Sequence, residues 1–189
     1  RLGFLYAALF VVVGCYLPYM PVWLHWRGLS EDEIAVLLAA PLFARILFTP
    51  VISFATDWSG ARRAVLIALA WGTLLSVLLL WASGGFWQML LATLLLAFNW
   101  TTIMPLTEAV AVSGVRSAGL DYGRVRLWGS GSFILTSFGA GLVIGQFGAS
   151  SVMPMILGAT VLMIAGVHLL PRGVASSRSP STPVLRRIS

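Results

Sequence analysis

The chain of 189 residues is 59% hydrophobic and 10% charged, and its formal net charge is +6. Ordinary globular domains carry about 25% charged residues, so this composition, with a mean hydropathy of +0.94, excludes an ordinary water-soluble domain. It also excludes a nucleic-acid-binding protein, because the chain has no soluble basic face to present.

Apolar runs of about 20 residues, the length that crosses a bilayer, occur six times along the chain. They occupy residues 3–24, 34–56, 64–83, 86–111, 127–147 and 150–170. The sequence therefore predicts an all-α, polytopic membrane protein with one domain of six transmembrane helices over residues 1–170. Residues 171–189 are rich in Pro, Ser and Arg, a composition typical of a flexible linker.

The arginines predict the orientation. With the N-terminus in the cytoplasm, all twelve fall at the inner side except Arg27, which is outside, and Arg45, which lies within a span. We therefore expect a multi-pass protein of the cell inner membrane whose N-terminus and basic C-terminal tail are both cytoplasmic. The first apolar run is too long for the core of a signal peptide.

The first predicted helix is interrupted by Pro18 and Pro21. Each proline removes a backbone donor, and the freed carbonyl needs a neighbouring helix or an aqueous cavity. Tyr16 and Tyr19 lie deep in this helix and are candidates for lining a substrate cavity. Cys15 is expected to be a small packing residue.

The second predicted helix begins with Ser30 followed by Glu33, a capping box. Arg45 lies near its middle, with roughly eleven residues on either side, and a central arginine costs about 2.5–3.5 kcal/mol on insertion scales. It must face the bundle interior or water. We expect Arg45 to receive an anionic substrate; the alternative is a structural ion pair, for example with Glu108.

The fourth predicted helix carries a single carboxylate, Glu108, toward its inner end. Partial burial raises the pKa of a carboxylate, so Glu108 is a candidate for proton coupling; the alternative is a charge pair with Arg126 or Arg116. Asn99 on the same helix either contacts the substrate or bonds a neighbouring helix.

Short inner loops hold the remaining charges. Asp57 follows the second span and Arg124 precedes the fifth. An ion pair of Asp57 with Arg116 or Arg124 could hold the inner ends of these helices together. Past Trp128, small residues including Gly141-x-x-x-Gly145 favour close helix packing. No catalytic triad, phosphate-binding loop or metal spacing is visible in the sequence, so neither an enzyme nor a cofactor is expected.

Four segments resemble the 3-phenylpropionate permease family of the major facilitator superfamily. They are "YLPYMPVWL" (16–24), "PLFARILFTPVISFATD" (41–57), "MPLTEAVA" (104–111) and "LDYGRVRLWGS" (120–130). The resemblance implies the N-terminal half of a twelve-helix transporter that moves a small organic solute with protons as the coupling ion. The C-terminal half would then be the missing partner, and the basic tail would be part of the central loop.

The resemblance also implies roles for individual residues. Arg45 matches an arginine of the family's second helix, and Glu108 and Arg126 occupy the positions of an acid late in helix four and an arginine early in helix five. The superfamily's inner motif is matched at Asp57, Gly60 and Arg62. This sequence departs from the motif at Ser53, Trp58 and Ala61, so a weaker or differently paired cytoplasmic gate is expected.

The most specific prediction is thus proton symport of an aromatic carboxylate such as 3-phenylpropionate, with Arg45, Tyr16, Tyr19 and Asn99 at the substrate. Two alternatives remain at this point. One is symport of a neutral sugar or nucleoside, with Arg45 as a structural partner. The other is a membrane scaffold or assembly protein that transports nothing.

Overall fold

A computed structural model of the chain describes residues 2–59, 62–118 and 122–170. Within these ranges the side chains are described except at residues 2, 45, 47–59, 62, 109–111, 113–118, 122, 124 and 125. The expected linker at 171–189 lies outside the described residues.

Six α-helices and one short 3-10 helix make up the described residues. They are α1 (Leu2–Trp26), α2 (Glu31–Ser59), α3 (Arg62–Ala82), α4 (Phe86–Ala118), α5 (Tyr122–Phe147), the 3-10 helix (Ala149–Ser151) and α6 (Val152–His168). This arrangement confirms the predicted all-α class. Five of the helices, all but α2, contain a segment long and apolar enough to cross a membrane; α2 is 29 residues long and contains the predicted second span.

The helices extend beyond most of the apolar runs because polar residues at their ends continue the backbone hydrogen bonding. At the start of α2, Glu33 Oε2 accepts hydrogen bonds from the backbone N–H of Ser30 at 2.9 Å and from its Oγ at 3.0 Å. In return, the N–H of Glu33 donates to Ser30 Oγ at 3.4 Å. The predicted capping box is therefore confirmed.

Two groups of three helices, α1–α3 and α4–α6, make equivalent contacts. Helix α1 packs against α5 and α6, helix α4 packs against α2 and α3, and α3 packs against α6. Helix α4 thus contacts α2 and α3 as α1 contacts α5 and α6. The chain therefore contains two related groups of three helices, α1–α3 and α4–α6, in which α1 corresponds to α4, α2 to α5 and α3 to α6. Short connections make consecutive helices antiparallel, and α1 and α4 therefore cross the bundle in opposite directions.

Helix α5 is the least buried of the five apolar segments identified in the described residues. Only 11% of its span is buried, compared with 50% for the spans of α4 and α6. Its outward side carries large apolar groups such as Leu135 and Phe138. In α6, by contrast, buried residues recur along the whole helix, which packs against α1 and α3.

Buried hydroxyl groups are satisfied within their own helices. Thr73, Thr93 and Thr160 each donate to the carbonyl four residues earlier, at 2.7 to 2.8 Å. This local bonding removes the cost of placing a polar side chain in an apolar environment. These threonines are therefore compatible with the membrane without a ligand.

Candidate functional site: a cavity between helices α1 and α4

A cavity of about 270 Å³ opens where α1 and α4 pass one another. Helix α2 forms one side of it, and single residues of α3 and α6 complete the wall. The lining residues are Val12, Val13, Tyr16, Leu17, Pro41, Leu42, Val77, Thr93, Leu96, Ala97, Trp100, Thr101 and Ile156.

Matched positions on α1 and α4, the first helices of the two related groups, supply most of this lining. Four α1 positions, 12, 13, 16 and 17, recur on α4 as 96, 97, 100 and 101, each 84 later. The helix starts, Leu2 and Phe86, have the same offset, as do Pro21 and Pro105 inside the two helices. The cavity therefore lies at the crossing of two matched, proline-interrupted helices, and Tyr16 and Trp100 occupy matched positions in it.

The cavity is apolar, with few groups for hydrogen bonding. Its two threonine hydroxyls already donate within α4, Thr93 Oγ1 to the carbonyl of Met89 at 2.7 Å and Thr101 Oγ1 to that of Phe98 at 3.2 Å. Tyr16 contributes a phenol, and Trp100 an indole ring. Such a wall favours an apolar or aromatic group over a strongly hydrated one.

Among the residues predicted to contact substrate, Tyr16 lies in the cavity wall. Tyr19 lies at the contact of α1 with α5, where its hydroxyl donates to the carbonyl of Ser137 at 2.6 Å. Asn99 lies between α3 and α4, and its Nδ2 donates to Ser76 Oγ at 3.2 Å and to the carbonyl of Leu95 at 2.9 Å. The structure thus does not bring Tyr16, Tyr19 and Asn99 together in one wall.

The side chain of Arg45 lies outside the described residues, but its backbone position in α2 is described. Arg45 follows Pro41 by four residues, which is about one helical turn. Since Pro41 lines the cavity, Arg45 occupies the next position along the same face of α2.

Glu108 is partly buried at the end of the apolar segment Phe86–Glu108, and Arg126 is exposed at the start of the segment Arg126–Phe147. Both side chains are described, and they do not form an ion pair with each other. The charge pair that the sequence allowed between them is therefore not made in this conformation. Next to Glu108, Thr107 is 1% exposed and its Oγ1 has no hydrogen-bond partner among the described residues.

The residues predicted for the cytoplasmic gate fall at one end of the bundle. Asp57 is near the end of α2, Arg62 begins α3, Arg116 is near the end of α4 and Arg124 is near the start of α5. In an antiparallel arrangement these helix ends lie on the same side, the side at which α1 begins. The side chains of these four residues, and Gly60 altogether, lie outside the described residues.

Two arginines have roles that the charge pattern did not reveal. Arg27 bonds the carbonyls of Ser83 and, at 3.2 Å, Trp81 at the end of α3, and its guanidinium lies 5.0 Å from the ring centre of Trp23. At the other end of the bundle, Arg63 donates to the carbonyls of His168 and Leu170 at 3.0 and 3.1 Å.

Both arginines therefore bind the unpaired carbonyls at a helix C-terminus. The sequence predicted only the side of the membrane on which each of these two arginines lies. A cation next to a loop in sequence gives no indication of which distant helix end it caps.

Comparison with known proteins gives consistent relationships. The model of the MFS_1 like family matches residues 1–179. The probable 3-phenylpropionic acid transporter of Escherichia coli strain K12 is 32% identical over 169 residues, which are 88% of this chain and 44% of that protein. The lactose permease of Citrobacter freundii is 25% identical over 157 residues, 75% of this chain and 36% of the permease.

The maltose permease of Geobacillus stearothermophilus is 28% identical over 138 residues, 72% of this chain and 35% of that protein. A crystal structure of nucleoside transporter NupG aligns with a TM-score of 0.79 at 16% identity, and covers 90% of this chain and 43% of that one. The chain thus spans less than half the length of these relatives. The structural match shows a shared fold.

Proposed function

Because the chain belongs to the MFS_1 like family, we propose that it forms the N-terminal six-helix half of a proton-coupled secondary transporter. The relatives named above are transporters or permeases by name, and the chain is a multi-pass membrane domain. The exposed apolar side of α5 supports a second six-helix half as its partner, with substrate bound between the halves.

The proposed substrate is a small aromatic carboxylate such as 3-phenylpropionate. The observation that carries this proposal is the cavity at the α1–α4 crossing, in which Tyr16 and Trp100 face an apolar space whose threonine hydroxyls are already bonded. A phenyl ring needs no hydrogen bonds there. A sugar would leave several hydroxyl groups unpaired in that wall, and each buried unpaired group is costly.

Arg45 is proposed to bind the carboxylate of the substrate. Its backbone position, one turn beyond the cavity-lining Pro41, supports this role, and a guanidinium is always charged and well shaped for a carboxylate. Tyr19 and Asn99 are proposed to support this site from the helix contacts they make with α5 and α3.

Protons are proposed as the coupling ion, with no other cofactor. Glu108 is proposed as the coupling residue because it is partly buried, lies at the end of a span and does not pair with Arg126. We place Arg126 and Glu108 at the inner gate together with Asp57, Gly60, Arg62, Arg116 and Arg124. The arginine distribution supports the inner membrane, with both chain ends in the cytoplasm.

A neutral sugar is the second candidate, because relatives of this chain are named lactose and maltose permeases. Uptake of labelled 3-phenylpropionate by cells that express the complete protein separates the two. We expect saturable uptake that benzoate-like acids inhibit and that lactose and maltose leave unchanged. Inhibition by the sugars alone would transfer the assignment to the second candidate.

Arg45 provides the matched variants for this assay. Arg45→Ala is expected to abolish accumulation, whereas Arg45→Lys, which keeps the positive charge, is expected to retain part of it. Normal accumulation by Arg45→Ala at equal amounts of protein in the membrane would refute the carboxylate-binding role. Absence of uptake of any of these compounds by the unmodified protein would favour a scaffold or assembly role.

A further inference from the structure

We propose that Ser137 on α5 is a positioning residue that holds the proline-interrupted segment of α1 against the central cavity. We call the contact of Ser137 with Gly14 and Tyr19 the α1–α5 latch. The inference deepens the proposed function and rests on it, because its consequence is measured as substrate affinity.

The first part of the latch repairs a break in α1. Pro18 has no N–H, so the carbonyl of Gly14, four residues earlier, has lost its regular helical donor. Ser137 Oγ donates to this carbonyl at 3.3 Å. A side chain of α5 thus replaces the bond that the proline removed, which is how the interruption is tolerated within a membrane span.

The second part holds α1 on the other side of Pro18. The hydroxyl of Tyr19 donates to the backbone carbonyl of Ser137 at 2.6 Å. Ser137 therefore bonds α1 both before and after the proline, once through its side chain and once through its backbone. The break in α1 is bridged by a single residue of α5.

Close packing fixes the geometry of these bonds. A Cβ at Gly14 would lie 3.1 Å from the carbonyl oxygen of Phe133, and one at Gly141 would lie 2.6 Å from the Tyr19 hydroxyl. Both glycines therefore leave the space that the latch occupies. Gly145, by contrast, has nothing within 4 Å of its added Cβ, so only the first glycine of the predicted G-x-x-x-G pair makes a close contact.

The latch and the cavity share the same segment of α1. Tyr16 and Leu17 line the cavity, and in sequence they fall between Gly14 and Tyr19. At 100° per residue, Gly14 is about 160° around the helix from Tyr16, and Tyr19 is about 60° from it. Helix α5 thus holds the segment that carries Tyr16 and Leu17 at both of its ends, and loosening the latch should displace Tyr16.

Variants of two serines on α5 test this inference in the complete protein. Ser137→Ala removes the side-chain donor, and Ser137→Thr keeps it. Ser132→Ala is the matched control, since Ser132 lines an outward groove with Leu127, Trp128 and Leu135. Tyr19→Phe removes the other bond and provides a second way to open the latch if Ser137→Ala reaches the membrane poorly.

Two readouts are needed. The first is the alkylation rate of Cys15, which is buried beside Gly14, by N-ethylmaleimide in membranes, with any cysteine outside this sequence replaced by serine. The second is the KM and maximal rate of 3-phenylpropionate uptake. We expect Ser137→Ala and Tyr19→Phe to speed alkylation and to raise KM about threefold to tenfold, the factor that one lost hydrogen bond corresponds to, with little change in maximal rate.

Ser137→Thr should restore both values, and Ser132→Ala should change neither. Alkylation and KM of Ser137→Ala that match those of Ser132→Ala would overturn the inference. If the unmodified protein takes up no 3-phenylpropionate, the proposed function fails, and the alkylation rates alone decide whether the latch exists. A faster rate for Ser137→Ala then supports the latch, and an unchanged rate rejects it.

Discussion

Replacement of Gly72 by alanine should break the contact between α3 and α4. The added Cβ would clash with Asn99 Oδ1 and would lie 3.0 Å from its Cγ and 3.2 Å from its Nδ2. Every atom of the amide is therefore too close. The Asn99 side chain must move away, and in doing so it gives up its bonds to Ser76 Oγ and the carbonyl of Leu95.

The expected loss of stability follows from these contacts. Overpacking costs about 1–3 kcal/mol, and each lost hydrogen bond costs about 0.5–1.5 kcal/mol. The better helix propensity of alanine returns about 0.5–1 kcal/mol. We expect Gly72→Ala to lower the free energy of unfolding by about 3 kcal/mol, within a range of about 1–5 kcal/mol.

Asn99→Ala alone should cost about 1–3 kcal/mol, the value of its two bonds. In the double variant Gly72→Ala, Asn99→Ala, the smaller residue at position 99 makes room for the methyl group at position 72. The stability loss of the double variant should therefore be smaller than the sum of the two single losses, by at least about 1 kcal/mol.

The assay is unfolding of the purified complete protein in mixed micelles by titration with sodium dodecyl sulfate. Gly131→Ala serves as the control, because its added Cβ has nothing within 4 Å, and this variant should be neutral or slightly stabilising. The reasoning is refuted if Gly72→Ala behaves like Gly131→Ala, or if the losses of Gly72→Ala and Asn99→Ala simply add.

Three further outcomes are expected. Glu108→Gln should keep substrate exchange in proteoliposomes of the complete protein but lose accumulation driven by a pH gradient; an unchanged response to the gradient would exclude Glu108 from coupling. Arg63→Ala, which removes the donors to the carbonyls of His168 and Leu170, should lower the unfolding free energy by about 1–3 kcal/mol in the same titration. Arg63→Lys should recover only part of this, and equal stability of both variants with the unmodified protein would contradict the capping role. Ser30→Ala should cost about 0.5–2 kcal/mol, and no loss would contradict the capping box.

The elements of the fold were predictable because a bilayer demands long apolar helices. The predicted run 34–56 became Glu31–Ser59, and the predicted run 86–111 became Phe86–Ala118. The extensions come from polar end residues, which count against a span in hydropathy but are satisfied in a helix that reaches the membrane surface. The capping box at Ser30 marked one of these ends correctly.

The helix faces were not predictable in the same way. In a soluble protein the buried face is apolar and the exposed face polar, but both faces of a membrane helix are apolar. Asn99 illustrates the consequence. Its polarity predicted that it faces either a substrate or another helix, and only the structure places its amide against α3.

The role of the prolines was predictable in part. The sequence showed that Pro18 frees a carbonyl, and it required a neighbouring group to satisfy that carbonyl. It did not identify Ser137, which lies 123 residues from Gly14, because pairing between distant helices leaves no pattern in a single sequence. The matched offset of the cavity residues on α1 and α4 was present in the sequence, but it becomes visible only when the lining is known.

Filling the cavity while substrate binding is measured tests the account most directly. Ala97 lines the cavity and is 8% exposed, so Ala97→Phe should occupy the space proposed for the phenyl ring. The matched control is Ala68→Phe, at an exposed position of α3. In equilibrium binding of 3-phenylpropionate to the purified complete protein, we expect Ala97→Phe to weaken affinity by about tenfold or more, a loss of about 1.4 kcal/mol, and Ala68→Phe to leave it unchanged. Equal affinity of Ala97→Phe and the unmodified protein would show that substrate binds elsewhere.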